Sequence, residues 1–354
     1  MSKPESLCSI ESYEEKYWRQ KRHPYVGGIE LTPYCNLDCV HCYLQDSVKG
    51  KIMTTSEIKG IIEKLYDAGV LFLYFTGGEI FTREDFLEIY IYAKKKGFII
   101  ELLTNGTLIT PEIVKVFDMY PPASVNISVY GKNEATYKKV TGHQGMFEQV
   151  MDAICLLRNH GIHLEVKYIG MKENLEDYDG VKRIAQKYGA VFSDSMELFP
   201  TLSGNNCTKE HMIPLEKVIE IESKQDEKKE MYYRLSNIPN RYAGKKDVPL
   251  YLCDMAISNF LVDYQGFLNP CHKCRTKKWN LLVDDFQEAW DDFGKLRLMK
   301  VSEDYKCINC KYLMMCSPCV MVNYLTTGSY TTPPDTVCKL TNMRVKAFGE
   351  KNNS

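Results

Sequence analysis

The chain has 354 residues, of which 44% are hydrophobic and 26% charged, and its formal net charge is −1. This length can bury a large core, and the balanced charge argues against nucleic acid or an anionic membrane as a main partner. No apolar run is long enough to span a membrane, and the polar N-terminus carries no signal core, so we expect a cytoplasmic protein.

Residues 1–25 form a polar and aromatic lead-in, after which predicted strands and helices alternate. We predict strands over 27–32, 70–76, 98–103, 123–129, 162–169 and 190–198, with helices between them. Repeated βα units predict a parallel sheet with right-handed crossovers, and six units are too few for a closed eight-fold barrel. The fold class is therefore α/β, with a partial (β/α)6 TIM barrel over 26–200 that binds ligands at the carboxyl ends of its strands.

The rest of the chain changes character. A linker is predicted over 201–252, with one charged helix over 216–229, followed by a small cysteine-rich domain over 253–345 and a tail over 346–354. Short segments rich in Cys, Gly, Pro and Asn leave this domain little room for a hydrophobic core, so we expect metal to supply much of its stability.

Fourteen cysteines are many for a chain without an export signal. In a reducing compartment this count favours metal binding over disulfides. Eleven of the cysteines fall into two groups, one in the first loop and one between 253 and 338. Outside them stand Cys8 in the lead-in, Cys207 in a polar loop, and Cys155, whose helical apolar position predicts a core residue.

The first group lies in the loop that follows the first predicted strand. Its spacing is Cys-x3-Cys-x2-Cys, formed by Cys35, Cys39 and Cys42. Thiolates this close in sequence can converge on one soft metal centre. Three ligands leave a coordination position open, which is typical of a site that binds a substrate.

Polar residues follow the next three strands and should lie on the same face. Gly77, Gly78 and Glu79 follow the second strand, Asn105 follows the third, and Ser128 ends the fourth. The glycines allow a ligand close to the backbone, and Glu79 can accept hydrogen bonds from an ammonium group. A Gly-Gly or Asn-Gly pair alone is often only a turn, but the shared placement favours a cofactor site.

The second group contains eight cysteines, enough for two four-thiolate sites: Cys253, Cys271, Cys274, Cys307, Cys310, Cys316, Cys319 and Cys338. From spacing alone zinc stays an alternative, because two Cys-x2-Cys pairs can form a zinc ribbon.

Together, the first cysteine loop and the Gly-Gly-Glu that follows the next strand resemble the radical S-adenosylmethionine (SAM) superfamily over about residues 26–200. The resemblance implies that Cys35, Cys39 and Cys42 hold a 4Fe–4S cluster whose open iron binds the amino and carboxylate groups of SAM. Reductive cleavage of SAM would give a 5′-deoxyadenosyl radical that abstracts hydrogen from a substrate, with an external electron donor such as flavodoxin or ferredoxin. The implied SAM contacts are Gly77, Gly78 and Glu79 at the amino group, Asn105 and Ser128 at the sulfonium and ribose, and His41 near the adenine.

Two positions depart from the family pattern. Ile80 stands where proline is common, and the arginine often found in the segment equivalent to 137–142 is missing. Lys138 or Lys139 would have to replace that arginine.

The second group resembles the SPASM extension, which carries two auxiliary 4Fe–4S clusters, three clusters in all. By this resemblance Cys307, Cys310, Cys316 and Cys338 hold the distal cluster. Cys253, Cys271 and Cys319 hold the proximal one, with Cys274 as a further ligand. The family usually has three residues where only Ser317 and Pro318 stand here. Without Cys274 the proximal cluster would keep an iron open for substrate.

SPASM relatives mostly modify peptides or proteins, so our first hypothesis is a peptide maturase that crosslinks or epimerises its substrate. The second is a dehydrogenase acting on a protein side chain or a small metabolite. An acidic residue follows the equivalent of Cys271 in such enzymes, whereas this chain has His272. The third, a non-catalytic iron–sulfur or zinc scaffold, leaves the strand-end residues unexplained.

Overall fold

The computed structural model describes residues 22–46, 50–302 and 305–349. Six parallel strands pair in chain order, as the sequence predicts: β1 (Val26–Thr32), β2 (Phe72–Gly77), β3 (Ile99–Thr104), β4 (Ser124–Ser128), β5 (Leu164–Ile169) and β6 (Val191–Ser195). The helices between them are α1 (Thr55–Asp67), α2 (Phe86–Lys95), α3 (Pro111–Met119), α4 (Glu134–Thr141), α5 (Met146–Asn159) and α6 (Tyr178–Lys187). The predicted partial barrel is confirmed.

Local sequence explains where the barrel helices begin and which side they bury. Thr54 and Glu57 form a reciprocal capping box at the start of α1, which satisfies backbone donors that the first turn leaves free. Pro111 occupies the first turn of α3 behind the capping Thr110, where its missing N–H costs nothing. Helical spacing then places the apolar side of each helix against the sheet.

The cysteine-rich region does not stand apart from this barrel. Strand β7 (Asn259–Val262) pairs in parallel with β1, and β8 (Phe267–Asn269) and β9 (Trp279–Asn280) extend the sheet in antiparallel fashion. Helix α9 (Phe286–Leu298) buries Trp290 and Phe286 in the main core against Phe260. The expectation of little hydrophobic core is therefore wrong for this half of the region, because its apolar residues are added to the barrel core.

The charged helix predicted over 216–229 is two helices, α7 (Leu215–Ser223) and α8 (Asp226–Ser236). The Tyr232 hydroxyl donates to the buried Glu222 carboxylate at 3.0 Å. Ten residues of straight helix would separate these positions by about 15 Å, so the contact requires the chain to turn back.

Three further helices complete the C-terminal part: α10 (Leu313–Cys316), α11 (Val320–Thr327) and α12 (Asp335–Phe348). Arg344 on α12 donates to both oxygens of Glu222, at 3.0 and 2.6 Å. Such a paired geometry suits a buried carboxylate, and it fixes α12 against α7.

Two smaller predictions have clear outcomes. Cys155 is exposed on α5 rather than buried in the core, because it falls one position outside the apolar stripe formed by Val150, Ile154 and Leu157.

Most of the predicted lead-in, with Cys8, and the end of the tail lie outside the described residues. Within the described ranges, no helix is long and apolar enough to cross a membrane.

Candidate functional site

A cavity of about 660 Å³ lies at the carboxyl ends of the barrel strands. Cys35, Cys39 and Cys42 all lie in its wall, and its lining continues along the strand ends as far as β6. The structure therefore brings the three thiols of the first group to one shared space on the face that the sequence predicts.

The backbone holds the cysteine loop in place. The N–H of Asp38 donates to the carbonyl of Thr141, and that of Val40 donates to Val140, each at 3.0 Å. These bonds fix both sides of Cys39 to the C-terminal turn of α4.

Gly77 and Gly78 bring β2 against the chain that leads into the cysteine loop. Gly77 has φ +141°, and a Cβ there would lie 2.3 Å from the Thr32 carbonyl oxygen; at Gly78 it would lie 2.1 Å from the Tyr34 oxygen. The Gly78 N–H donates to Thr32 at 2.7 Å. Glycine is needed here for the approach of one strand end to another, in addition to any approach of a ligand.

The Glu79 carboxylate lies beneath the cavity rather than in its wall. It is fully buried and accepts three hydrogen bonds, from the Asn105 N–H at 2.7 Å, the Thr104 hydroxyl at 2.7 Å and the Phe81 N–H at 3.1 Å. Burial raises the pKa of Glu79, and these donors oppose that shift. The carboxylate is buried outside the cavity wall, and its expected bond to a ligand ammonium group stays a prediction.

The Asn105 side chain joins the end of β3 to the cysteine loop. Its Nδ2 donates to Asn36 Oδ1 at 2.9 Å and lies 3.7 Å from Cys35 Sγ. Its Oδ1 accepts from the N–H and hydroxyl of Thr107 at 2.9 and 2.7 Å. The predicted placement of Asn105 beside the cysteine loop is confirmed, and its amide is fixed from both ends.

Ser128 lines the cavity, as the sequence predicts. It is hydrogen-bonded to Tyr130, which also bonds Cys39. Burial raises the pKa of Tyr130 well above its ordinary value, so the phenol stays neutral and can donate toward the thiol. Sequence reasoning missed Tyr130. Its position two residues after Ser128, near the end of the same strand, was the signal that could have placed it at the cavity.

His41 lies in the cavity wall with its ring in edge contact with Tyr130, at 5.1 Å between centroids. Burial lowers the pKa of His41 to about 4, so the imidazole is neutral. Its Nδ1 atom is buried without a hydrogen-bond partner. A neutral, well-packed ring of this kind suits contact with an aromatic base.

The cation that lines the cavity is not one that the sequence suggested. Lys138 and Lys139 are exposed on the outer side of α4, and neither lies in the cavity wall, which instead contains Lys167 of β5. The sequence did contain a signal for this lysine, because charged residues stand at alternate positions of the predicted strand, at Glu165 and Lys167. Such alternation is typical of a polar row on one side of a sheet.

Cys253, Cys271, Cys274 and Cys319 form the first of two groups in the C-terminal region. Burial is the main cause of the raised pKa of Cys271, and Cys319 and Cys253 raise it further. The pKa of Cys274 is about 12, raised by burial and then by Cys271 and Cys319. The Cys274 N–H donates to the Cys271 carbonyl at 3.2 Å. All four thiols are therefore neighbours, including Cys274.

Cys307, Cys310, Cys316 and Cys338 form the second group. Burial is the main cause of the raised pKa of Cys316, at about 11, and Cys307, Cys338 and Cys310 raise it further. The Cys310 N–H donates to the Cys307 carbonyl at 3.1 Å. The grouping matches the division that the SPASM resemblance implies.

The donor chemistry of all three cysteine groups fits iron–sulfur clusters, whose protein ligands are thiolates. A four-iron cluster also holds its ligands farther apart than a single ion does. Among the described residues, no three His, Cys, Asp or Glu side chains are grouped tightly enough to hold a single metal ion.

A buried ion pair connects the barrel to the proximal cysteines. Arg275 donates to both oxygens of Glu30 on β1, at 3.0 and 2.5 Å, and its Nε donates to the His272 carbonyl at 2.9 Å. His272, next to Cys271, makes an edge contact with Tyr43, at 6.4 Å between ring centroids. The two cysteine loops are thus in direct contact.

Comparison with known proteins agrees with this geometry. Residues 29–184 match the family model described as the Radical SAM superfamily. The AdoMet-dependent heme synthase of Methanosarcina barkeri is 29% identical over 87% of this chain and 94% of its own length. The mycofactocin maturase MftC of Mycolicibacterium smegmatis is 26% identical over 94% of this chain and 87% of its own.

The fold has a similar solved structure. Streptococcus suis SuiB bound to the precursor peptide SuiA superposes with a TM-score of 0.71 at 17% identity, covering 96% of this chain and 84% of SuiB. The barrel of this protein therefore carries a Radical SAM superfamily domain over residues 29–184, and a cysteine-rich region with two further groups of four thiols follows it.

Proposed function

We propose that the cavity binds SAM beside a 4Fe–4S cluster held by Cys35, Cys39 and Cys42. The observation that carries this proposal is the opening of these thiols into one cavity with the ends of β2, β3 and β4. The cluster and SAM, when bound, supply a 5′-deoxyadenosyl radical that can abstract hydrogen from a substrate.

The chain's own residues would position the cofactor. Gly77 and Gly78 would present their backbone to the methionine end, since both line the cavity at the end of β2. Asn105 orients the first thiol through its 3.7 Å contact with Cys35 Sγ, and Ser128 offers a hydroxyl to the ribose end.

Two residues complete this site. His41 would pack against the adenine, which the edge contact with Tyr130 supports. Glu79 would act as a positioning residue that holds the end of β3 through Asn105, rather than as a ligand.

The two C-terminal thiol groups would hold two auxiliary 4Fe–4S clusters. Cys307, Cys310, Cys316 and Cys338 would bind the distal cluster, and Cys253, Cys271, Cys274 and Cys319 the proximal one. The hydrogen bond from the Cys274 N–H to the Cys271 carbonyl, which holds these two residues together, supports the place of Cys274 in the proximal set. Four thiolates leave that cluster no open iron, so it would accept an electron rather than bind substrate.

The substrate would be a peptide or protein that is crosslinked or epimerised, as the similarity to a mycofactocin maturase and to SuiB with its precursor peptide supports. An external flavodoxin or ferredoxin would supply electrons, and the many thiolates fit a cytoplasmic location.

A second candidate substrate is a tetrapyrrole. The AdoMet-dependent heme synthase aligns with this chain over 94% of its own length, and the cavity offers a lysine, Lys167, to an acidic side chain.

One experiment separates the two candidates. The anaerobically reconstituted protein is incubated with SAM, a reductant, and either the short peptides encoded beside its gene or Fe-coproporphyrin III, and products are identified by mass spectrometry. In D2O, a peptide that loses hydrogen by crosslinking or takes up deuterium on epimerisation, with formation of 5′-deoxyadenosine, supports the first. A change in the tetrapyrrole with unaltered peptides contradicts it and supports the second.

A further inference from the structure

An open groove of about 560 Å³ lies on the outside of the barrel, between α5 and α6. Its floor is apolar and is formed by Phe147 and Met151 of α5 and Ile184 of α6, which pack partly against the main core. None of the described residues that line this groove also lines the cavity at the strand ends. The wall of the barrel therefore separates a molecule in the groove from the proposed cofactor.

The rim of the groove is positively charged. Arg183 and Lys187 of α6 stand along it, together with Lys132 from the loop after β4, and no acid is among its described lining residues. Lys132 pairs with Asp177 at 3.1 Å. Arg183 and Lys187 are exposed, and neither forms an ion pair with a carboxylate in the part of the chain that the structure describes. Unpaired cations around an apolar floor favour an acidic protein surface as the partner.

A chain of aromatic rings leads from this groove to the first cysteine loop. The Phe147 ring is in edge contact with Tyr137 of α4, at 5.5 Å between centroids, and Tyr137 is in edge contact with Tyr130, at 5.9 Å. Tyr130 is hydrogen-bonded to Cys39. Because Tyr137 is fully buried, the chain of rings passes through the core rather than through solvent.

An electron, unlike an atom of a substrate, can reach the cofactor from outside the cavity. Hydrogen abstraction needs contact between substrate and radical, and the groove shares no described lining residue with the cavity. The rate of electron transfer falls steeply with the width of the gaps between bonded atoms, and rings in contact keep those gaps small. The rings therefore favour an electron carrier over a second substrate as the occupant of the groove.

We infer that the groove between α5 and α6 docks an acidic electron-carrier protein, and that Phe147, Tyr137 and Tyr130 conduct its electron to Cys39. The inference rests on the proposed function, which gives Cys39 a cluster that needs one electron to cleave SAM. The reduced carrier is oxidised by one electron, the cluster is reduced by that electron, and no atom is transferred. Electron-transfer partners meet through small interfaces, which suits a groove of this size.

The docking test uses the anaerobically reconstituted full chain, with a flavodoxin as the acidic probe. We measure the dissociation constant for oxidised flavodoxin and the rate of 5′-deoxyadenosine formation with reduced flavodoxin. Dithionite, a small reductant that needs no docking surface, drives the same reaction as a control. Arg183→Glu with Lys187→Glu reverses the charge of the rim, and Lys138→Glu with Lys139→Glu is the matched pair on the exposed side of α4. Iron content and circular dichroism check that each variant folds.

Like charges set against an acidic partner should weaken flavodoxin binding by the Arg183 and Lys187 double variant at least about tenfold. Cleavage driven by flavodoxin should fall with it, while cleavage driven by dithionite stays within about twofold of the wild-type rate. The Lys138 and Lys139 double variant should keep both rates. Raising the ionic strength should weaken binding by the wild-type chain more than binding by the rim variant. Unchanged binding by the rim variant, or equal weakening by both pairs, would overturn the docking surface.

The chain of rings is tested with Tyr137→Leu and Tyr137→Phe at saturating flavodoxin. Tyr137→Phe keeps the ring and should keep cleavage driven by flavodoxin, whereas Tyr137→Leu should lose most of it and keep cleavage driven by dithionite. If Tyr137→Leu disturbs the fold, cleavage with dithionite falls too, and Phe147→Leu then opens the same gap from the α5 side. Equal rates with flavodoxin for the two Tyr137 variants, or an unchanged rate for Phe147→Leu, would overturn the route.

Failure of the proposed function has a different signature. In that case the wild-type chain would form no 5′-deoxyadenosine even with dithionite, whatever its affinity for flavodoxin. Cleavage of SAM with dithionite by every variant, combined with loss of the flavodoxin-driven reaction only in the rim and ring variants, supports the inference.

Discussion

Glu79→Gln is the substitution that best separates a structural carboxylate from a ligand. Oε1 accepts from the Thr104 hydroxyl and the Phe81 N–H, and Oε2 accepts from the Asn105 N–H. A glutamine keeps two of these bonds by leaving its oxygen toward Thr104 and Phe81. Its amide NH2 then faces the Asn105 N–H, so one buried donor loses its acceptor.

The expected cost follows from that single lost bond. A hydrogen bond to a charged group contributes about 1.5–3 kcal/mol, and leaving a buried donor unsatisfied costs about 1–3 kcal/mol. We therefore expect the folded state to lose about 2–3 kcal/mol. For a chain of this size the loss corresponds to a fall of about 3–4 °C in the melting temperature.

The assay is thermal unfolding of the reconstituted protein without SAM, together with the dissociation constant for SAM. A positioning role predicts the lower melting temperature even when no SAM is present. Unchanged stability with SAM affinity reduced tenfold or more would refute this reasoning and make Glu79 a direct ligand. Glu57→Gln is a control for an exposed capping carboxylate, with an expected loss of about 1 kcal/mol or less.

Three further predictions follow from the geometry. Cys274→Ala should leave the proximal cluster with three thiolates and one open iron, so the iron content should stay at about twelve per chain while the spectrum of the auxiliary clusters changes. An unchanged auxiliary-cluster spectrum would mean that Cys274 is not a ligand. Gly78→Ala should lower the free energy of unfolding by about 1–3 kcal/mol through overpacking, as measured by thermal unfolding. Gly60→Ala, in open space on α1, should be neutral or stabilising. Equal effects of the two substitutions would contradict the steric argument. Arg275→Met leaves Glu30 buried without its partner and should destabilise the fold by about 3–5 kcal/mol. Combining Arg275→Met with Glu30→Leu should recover part of that loss. If thermal unfolding shows no recovery, the broken ion pair is not the cause of the destabilisation.

The barrel was predictable because strands such as β2 are apolar runs, and helices such as α1 and α3 begin at clear caps. The first cysteine loop was predictable because its spacing alone restricts its chemistry, and the strand-end positions of Asn105 and Ser128 followed from the topology of parallel strands. These features depend on local sequence and on the shared direction of the strands.

Other features depend on long-range contacts that no local pattern encodes. The role of Glu79 depends on the backbone donor of Asn105, 26 positions away, and the pair of Arg275 with Glu30 spans 245 positions. The packing of Phe260 and Trp290 into the barrel core required knowing that β7 joins β1. The place of Lys167 in the cavity wall depends on its register with Ser128 on the neighbouring strand.

The central claim is that Cys35, Cys39 and Cys42 hold the cluster that cleaves SAM, separately from the two auxiliary groups. The most direct test replaces these three residues with alanine and measures iron content and 5′-deoxyadenosine formation under reducing, anaerobic conditions. We predict that iron falls from about twelve to about eight per chain and that 5′-deoxyadenosine formation is lost. Continued cleavage of SAM by the triple variant would contradict the claim.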